Sequence, residues 1–215
     1  MSAGRSETMR RGQRGAALIE FALVMVFGIV PMVLGILQVT ALLVAHDVLT
    51  LATFQAGRQG AMQGGDLALM RAALARGLLP LYVPVARDGR VAQADALRGF
   101  ALALGEVTSL DRVTIIRPAR AALRGLTLRR AGVEVVPNEA LESRSPSLQA
   151  ANALTLEVTH CQRLVVPVVG PALATTLAVL EAGGRDAACY ALGRVPLRAR
   201  ATLVMQSDLK VANLP

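Results

Sequence analysis

The chain begins with a polar segment and continues with a long apolar one. Residues 1–15 are polar, and residues 16–45 are apolar except for Glu20, Gln38 and Thr40. An α-helix rises about 1.5 Å per residue, so this stretch exceeds the roughly 30 Å hydrocarbon core of a bilayer. The pattern predicts a transmembrane helix over residues 16–45 that continues to about residue 64 as a more polar helix.

Apolar residues recur at helical spacing in the extension of this first helix and in two later segments. Asp66 begins the second helix as its N-cap, and Pro80 ends it. The third helix covers residues 93–104. The predicted buried faces are Leu49, Thr53 and Ala56 in the first helix, Leu67, Met70, Leu74 and Leu78 in the second, and Leu97, Phe100, Ala101 and Leu104 in the third.

The residue pattern in the distal half of the chain predicts β-strands. Two segments alternate between apolar and polar residues, and a β-branched run ends at Pro118. Helices followed by strands favour an α+β fold with an antiparallel sheet over residues 66–215. The predicted strands are Arg112–Arg117, with residues 132–136 as its partner, Leu154–His160 and Leu197–Met205, and the polar residues 138–151 are predicted to form a loop.

Charge sets the expected orientation of the long helix. The 215 residues carry a formal charge of +8, and the first fifteen hold four arginines against Glu7 alone. Positive flanks stay in the cytoplasm, so we expect the residues after Ala45 to lie outside. A cleaved secretory signal fits poorly, because its apolar core is about 7–15 residues long and ends in an A-x-A-like site.

A second apolar stretch, residues 164–180, leaves two topologies open. Its length is at the lower limit for a membrane span, and the basic excess after it is compatible with a cytoplasmic tail. Pro167, Gly170 and Pro171 favour instead a strand end, a Gly-Pro turn and a short buried helix.

Cys161 and Cys189 flank this stretch. Two lone cysteines in an oxidising compartment usually pair, and a loop of this length predicts about 3–4 kcal/mol of stabilisation. Two buried free thiols are the alternative. A second membrane span would exclude the disulfide, because the two thiols would then lie on opposite sides.

The sequence contains no motif of catalysis or cofactor binding. It has no phosphate-binding loop, no serine-hydrolase elbow and no zinc-protease motif. His46 and His160 are the two histidines, and the strand neighbours His160 and Cys161 point to opposite faces, so they do not favour a shared metal. We predict no catalytic residue, no metal site, no cofactor and no enzymatic activity.

Six arginines lie between residues 112 and 130. Such a cluster can attract acidic partner subunits, anionic lipid or polysaccharide, or it can form an ordinary solvated face. Stacking aromatic residues are scarce, since the chain has no Trp and 3% aromatic residues in all. We therefore predict no nucleic-acid partner.

Glu20 is the one ionisable residue within the predicted span. A carboxylate in a membrane is costly, by about 2.5–3.5 kcal/mol on insertion scales. Either it reaches the cytoplasmic headgroups, or it pairs with a cation inside the bilayer. An α-amino group at Ala16, freed by cleavage after Gly15, would be such a cation.

The sequence around Glu20 resembles the processing site of type IV prepilins. The run Gly15-Ala16-Ala17-Leu18-Ile19-Glu20-Phe21-Ala22-Leu23 is similar to that of the TadE-like pseudopilins of the tight-adherence (Flp) pilus system. The resemblance is dense over residues 10–65 and faint at residues 194–207. It implies a basic leader at residues 1–15, cleavage by a prepilin peptidase between Gly15 and Ala16, and a pilin-like α+β domain.

The resemblance implies a minor pseudopilin of the bacterial inner membrane that takes part in pilus assembly. Its implied partners are the prepilin peptidase, other pilins or pseudopilins, and inner-membrane assembly proteins. Pairing of Glu20 with an Ala16 amine would set the axial register of a filament. The alternatives are an uncleaved, signal-anchored periplasmic protein, structural or enzymatic, and a pseudopilin of a secretion system.

Overall fold

A computed structural model of the chain describes residues 18–84, 91–138, 146–167, 169–181, 184 and 186–214. It is an α+β structure with one long apolar N-terminal helix, α1, and a domain packed on the second half of that helix, as the sequence predicts. The helices are α1 (Leu18–Met62), α2 (Leu67–Gly77), α3 (Gln93–Ser109), α4 (Pro146–Ala151), α5 (Val169–Leu180) and α6 (Ala187–Ala191). The strands are β1 (Arg112–Arg117), β2 (Leu128–Arg130), β3 (Val133–Val136), β4 (Ala153–Arg163), β5 (Arg194–Val204) and β6 (Leu209–Lys210).

Helix α1 passes through Pro31 without ending. Proline has no N–H to donate, and its ring collides with the carbonyl one turn earlier in a regular α-helix. Here the preceding turn, Met25–Ile29, is a wider π turn, which the N–H of Val30 closes by donating to the carbonyl of Met25. The wide turn accommodates the ring, so the helix continues to Met62.

The second half of α1 forms part of the domain core. Its buried face includes Leu49, Thr53 and Ala56, as predicted, together with further small residues. A Cβ at Gly60 would lie 2.7 Å from the sulfur of Met70, and one at Gly57 would lie 2.4 Å from Leu203. These glycines allow α2 and β5 to approach the helix closely.

Helix α2 begins where the sequence predicts. Asp66 accepts hydrogen bonds from the backbone N–H groups of Ala68 and Leu69, at 2.8 and 3.3 Å, and so satisfies two free donors of the first turn. Met70, Leu74 and Leu78 are fully buried against the core, and Leu67 is half-buried.

Helix α3 differs from its prediction in length and in orientation. It runs to Ser109, and its buried residues are Gly99, Ala103 and Val107. Leu97 and Ala101 are exposed, whereas Phe100 and Leu104 are half-buried. Phe100 and Leu104 pack against the core as predicted, but the closest packing is through smaller residues, since a Cβ at Gly99 would lie 2.4 Å from Val83.

The strands form two separate antiparallel sheets. The first has the order β1-β4-β5, with His160 opposite Leu197 and Val113 opposite Val158. The second has the order β2-β3-β6. The predicted pairing of residues 132–136 with β1 is wrong, because β3 pairs with β2 across the Ala131-Gly132 turn, where both residues have positive φ.

Two further predictions need correction. Residues 146–151 of the predicted loop form the short helix α4, while residues 139–145 lie outside the described part. Residues 169–180 form a helix as expected, but Gly170 and Pro171 lie in its first turn rather than in a separate turn, and most of the helix is exposed.

The C-terminal segment encloses the end of α1. The N–H of Lys210 and the side-chain amide of Asn213 donate to the carbonyl of Gly64, at 3.1 and 2.9 Å. Gly64 has φ of +67°, and a Cβ there would lie 2.9 Å from the backbone oxygen of Asp208. Glycine is therefore required where the chain leaves the helix.

The contact between α1 and α2 yields a prediction. A Cβ at Gly77 would lie 2.6 Å from Cβ and 2.7 Å from Cα of Ala52, and the backbone of a core helix cannot move away easily. We expect Gly77→Ala to lower the free energy of unfolding by about 1–3 kcal/mol. Thermal unfolding of the full chain in detergent, followed by circular dichroism, measures this.

Gly105→Ala is the matched control. Gly105 also lies in a helix, but nothing lies within 4 Å of the position of its Cβ. Replacing it should stabilise the protein by about 0.5–1 kcal/mol through helix propensity alone. Equal effects of the two substitutions would contradict the close packing of α2 on α1.

Candidate functional site

The first candidate site is the free N-terminal part of α1. No residue from 18 to 37 is buried, and the exposed side chains are large and apolar, such as Phe27 at 76% exposure. The helix is long and apolar enough to cross a membrane by length and composition. Twenty helical residues rise about 30 Å, which equals the hydrocarbon thickness of a typical bilayer.

Two of the four predicted processing residues lie at the start of this helix as the structure describes it. Gly15 and Ala16 are outside the described residues. Glu20 and Phe21 lie in its first turns, and both are exposed. Glu20 has no hydrogen-bond or ion-pair partner among the residues that the structure describes.

Gln38 marks the point where the domain begins to hold the helix. Its side chain is 1% exposed, and its Oε1 accepts a hydrogen bond of 2.9 Å from the backbone N–H of Val166. Leu34 and Gly35, one turn earlier, are half-buried on the same face. The predicted span of 16–45 therefore overlaps the stretch from Gln38 onward, which the domain covers on one side.

A disulfide joins Cys161 at the end of β4 to Cys189 in α6, with the Cα atoms 5.3 Å apart. It is the pairing expected from the sequence. The segment between the two cysteines contains α5, whose twelve residues are shorter than a membrane span. The bond also holds the two flanks of α5 close together, an arrangement that a membrane span between them would exclude.

The second candidate site is a cluster of charges where α3 meets β4 and β5. The carboxylate of Glu106 accepts hydrogen bonds from the hydroxyl of Tyr82 at 2.6 Å, from Arg163 at 2.6 Å and from Arg194 at 3.0 Å. Arg194 also donates to the carbonyl of Cys161. The cluster thus ties the helix to both strands beside the disulfide.

A buried His–Asp pair lies next to this cluster. Nδ1 of His160 is 2.8 Å from Oδ2 of Asp111, and both side chains are at most 2% exposed. The other oxygen of Asp111 accepts from the N–H of Cys161 at 3.3 Å. The histidine is therefore a packed residue.

A cleft of about 330 Å³ opens beside both groups, and its polar lining comes from Tyr82, Glu106, His160, Gln162 and Arg163. Three of these five side chains already bond to one another. Among the described residues, no group of three or more His, Cys, Asp or Glu side chains could hold a metal ion. The arrangement ties the end of β4 to the end of α3.

The hydrogen bonds of this cluster raise the pKa of Tyr82 and lower the pKa of Glu106. Burial, the hydrogen bond to Glu106 and the charge of Glu106 raise the pKa of the Tyr82 hydroxyl. Burial by itself would raise the pKa of Glu106, but the hydrogen bonds from Tyr82, Arg194 and Arg163 outweigh it and lower that pKa. Glu106 is thus held as a carboxylate.

Several arginines of the basic cluster form hydrogen bonds or ion pairs with other parts of the domain. Arg120 donates to the carbonyls of Val211 and Leu214, at 3.0 and 3.1 Å, and Arg130 pairs with Asp208 at 2.7 Å. The N–H of Asn138 and the charge of Arg130 lower the pKa of Asp208. This part of the cluster attaches the C-terminal segment to the domain.

The roles of Gln38, Glu106 and Asp111 were not predicted. The role of Gln38 could have been recognised from the sequence, because a lone amide in an apolar helix needs a hydrogen-bond partner. The roles of Glu106 and Asp111 could not, since the residues that bond to them lie 24 to 88 positions away in the chain.

The lowered pKa of Glu106 predicts a pH-dependent stability. A carboxyl whose pKa is depressed on folding stabilises the protein above its ordinary pKa of 4.5, and that contribution disappears as the pH falls through the lowered value. We expect Glu106→Gln to cost about 2 kcal/mol at neutral pH, or about 5 °C in Tm. The difference from the wild type should shrink below about pH 4.

Glu157→Gln is the control, measured in the same thermal scans of the full chain in detergent. Glu157 pairs with Arg200, whose side chain is 69% exposed. Water screens this pair, so we expect a loss below about 1 kcal/mol. A Tm difference for Glu106→Gln that stays constant down to about pH 3 would show that ionisation is not the cause.

Comparisons of the chain with known protein families, with curated proteins and with solved structures found no match.

Proposed function

We propose that the protein is a minor pseudopilin of a tight-adherence pilus system, processed by a prepilin peptidase and held in the bacterial inner membrane by α1. The observation that carries the proposal is the position of Glu20 near the start of the described helix. Glu20 follows Gly15 by five residues and lies in the first turns of an apolar stretch that stays free until Gln38. A processing site of this type precedes such a helix in the family that the sequence resembles.

The length of the free stretch supports a single membrane crossing. About 30 Å of helix separates Leu18 from Gln38, and the domain holds the helix immediately beyond that point. The basic leader would remain in the cytoplasm, which puts the domain in the periplasm. The Cys161–Cys189 disulfide is compatible with that compartment, because disulfides form and persist there.

Glu20 supports a role in assembly rather than in anchoring alone. An unpaired carboxylate in the bilayer is unfavourable, and the described part of the protomer offers it no cation. Cleavage after Gly15 would create a positive amine at Ala16, four residues before Glu20. In a bundle of such helices, each Glu20 can pair with the amine of a neighbour, which would fix the register between subunits.

Processing is the first prediction of this proposal. We expect the mature protein to begin at Ala16, and we expect Gly15→Val to leave the precursor uncut, because a β-branched residue hinders the approach of a protease at the scissile bond. N-terminal sequencing or mass spectrometry of the membrane-extracted protein measures the start of the chain in cells that make the pilus.

Gly12→Val is the matched control, since it changes another glycine of the same leader three residues earlier. We expect it to be processed normally. A wild-type protein that keeps Met1 or Ser2 in piliated cells would contradict the proposal and favour an uncleaved, signal-anchored periplasmic protein.

Assembly is the second prediction. Glu20→Val should leave cleavage and membrane insertion intact, because it makes the helix more apolar, but it should reduce pilus formation at least about tenfold through loss of the paired charge. Glu20→Gln should behave in the same way, since it keeps the size and removes the charge. Immunoblots of membrane and sheared-pilus fractions measure both steps.

Phe27→Leu provides the control for general sensitivity of the helix, because Phe27 is also exposed on the free stretch and carries no charge. Normal piliation of both Glu20 variants would disprove the pairing, and loss of piliation in Phe27→Leu would show that any change to the helix is harmful.

A further inference from the structure

Helix α5 exposes a stripe that lacks the usual character of a solvated helix face. A surface helix normally turns charged and polar residues to the solvent. In α5 the buried residues are Gly170 and Ala174, whereas the exposed side contains no ionisable group. The exposed residues are Pro171, Ala172, Thr175, Thr176, Val179 and Leu180.

The most exposed of these side chains are apolar. Val179 and Leu180 are 77% and 75% exposed, and Val165, just before the helix, is 72% exposed. Val165 and the last two residues of α5 lie at opposite ends of the helix, and the exposed residues between them are uncharged. Such an extended uncharged stripe needs a partner, because isolated apolar residues are common on protein surfaces but a continuous patch is not.

The hydroxyl groups of the two threonines on the stripe form hydrogen bonds within the helix, so they do not depend on water for a partner. The hydroxyl of Thr175 donates to the carbonyls of Pro171 and Ala172, both at 3.0 Å, and that of Thr176 donates to the carbonyl of Ala172 at 2.8 Å. A hydroxyl bonded back to its own helix can enter an apolar environment at little cost. The same bond occurs in α1, from Thr40 to Ile36.

The position of α5 indicates what this partner is. The helix packs against α1, and the loop before it is fixed to Gln38 through the N–H of Val166. Gln38 lies where the free apolar stretch of α1 ends. Val165, at the start of the stripe, therefore lies beside the end of the surface that would face lipid, and α5 packs against the same helix.

We infer that α5 and Val165 rest on the outer leaflet of the same membrane that α1 crosses, with Val179 and Leu180 inserted among the lipid headgroups and upper acyl chains. The inference depends on the membrane crossing in the proposed function. The Cys161–Cys189 disulfide closes the segment that carries α5 and so holds the helix at this level. An uncharged helix face in this position binds lipid through burial of its apolar area.

The absence of tryptophan from the sequence allows a direct test. Three single-tryptophan variants of the full chain, Val179→Trp, Phe27→Trp and Leu128→Trp, are reconstituted into phosphatidylcholine–phosphatidylglycerol vesicles. One set of vesicles contains lipid brominated near the headgroup, and another contains lipid brominated near the chain ends. Bromine quenches tryptophan fluorescence only on contact, so the two sets report depth.

We expect the fluorescence of Val179→Trp to fall about twofold with lipid brominated near the headgroup, and less with the deeper bromine. Phe27→Trp lies at the middle of the free stretch and should be quenched most by the deeper bromine. Leu128→Trp is the matched control, since Leu128 is exposed on β2, in the sheet joined to the far end of α1, and should not be quenched.

Each of the other possible quenching results disproves a different part of this inference or of the proposed function. Quenching of Phe27→Trp without quenching of Val179→Trp disproves the lipid contact of α5 and leaves the membrane crossing intact. Quenching of neither disproves the crossing and the proposed function with it. Quenching of Val179→Trp that falls as the protein-to-lipid ratio rises assigns the stripe to a second copy of the chain, which also disproves the lipid contact.

Discussion

The packing of the second half of α1 against α2 and the β4–β5 pair is the contact on which the rest of the structure depends. Small residues make it possible, because Ala52, Ala56, Gly57 and Gly60 let the neighbouring backbones approach closely. The same helix continues without a break to Leu18. The packing of the domain therefore also fixes the direction in which the free apolar stretch leaves it.

Polar groups hold the two ends of this contact. Near the free stretch, Gln38 binds the loop after β4, and at the far end Gly64 binds the C-terminal segment. Buried polar groups of this kind add little net stability, but they favour one arrangement over others, because any alternative leaves them without partners. For a subunit whose helix is proposed to pack among other helices, a fixed angle between helix and domain determines where the domain lies.

The charged groups around Glu106 and Asp111 hold the structure in a similar way at the end of β4. They connect α3, β4 and β5 beside the disulfide, where the chain leaves the sheet for α5. Each carboxylate receives several donors, which offsets the cost of its burial. Histidine, tyrosine and carboxylate groups thus meet in one cleft, where Tyr82 bonds to Glu106 and His160 bonds to Asp111.

Local features of the sequence determined the long apolar helix, the Asp66 cap and the strands β1, β4 and β5, because helix length, capping and strand alternation depend on neighbouring residues. The pairing of Cys161 with Cys189 was predicted for another reason, because the sequence contains two cysteines. The tertiary structure alone decided that β1 pairs with β4 rather than with β3, that α3 buries its small residues, and that the domain begins to cover α1 at Gln38. Each of these depends on contacts between residues far apart in the chain. The strength of such a contact depends on the shape of both partners, and the pattern along one segment describes only one of them.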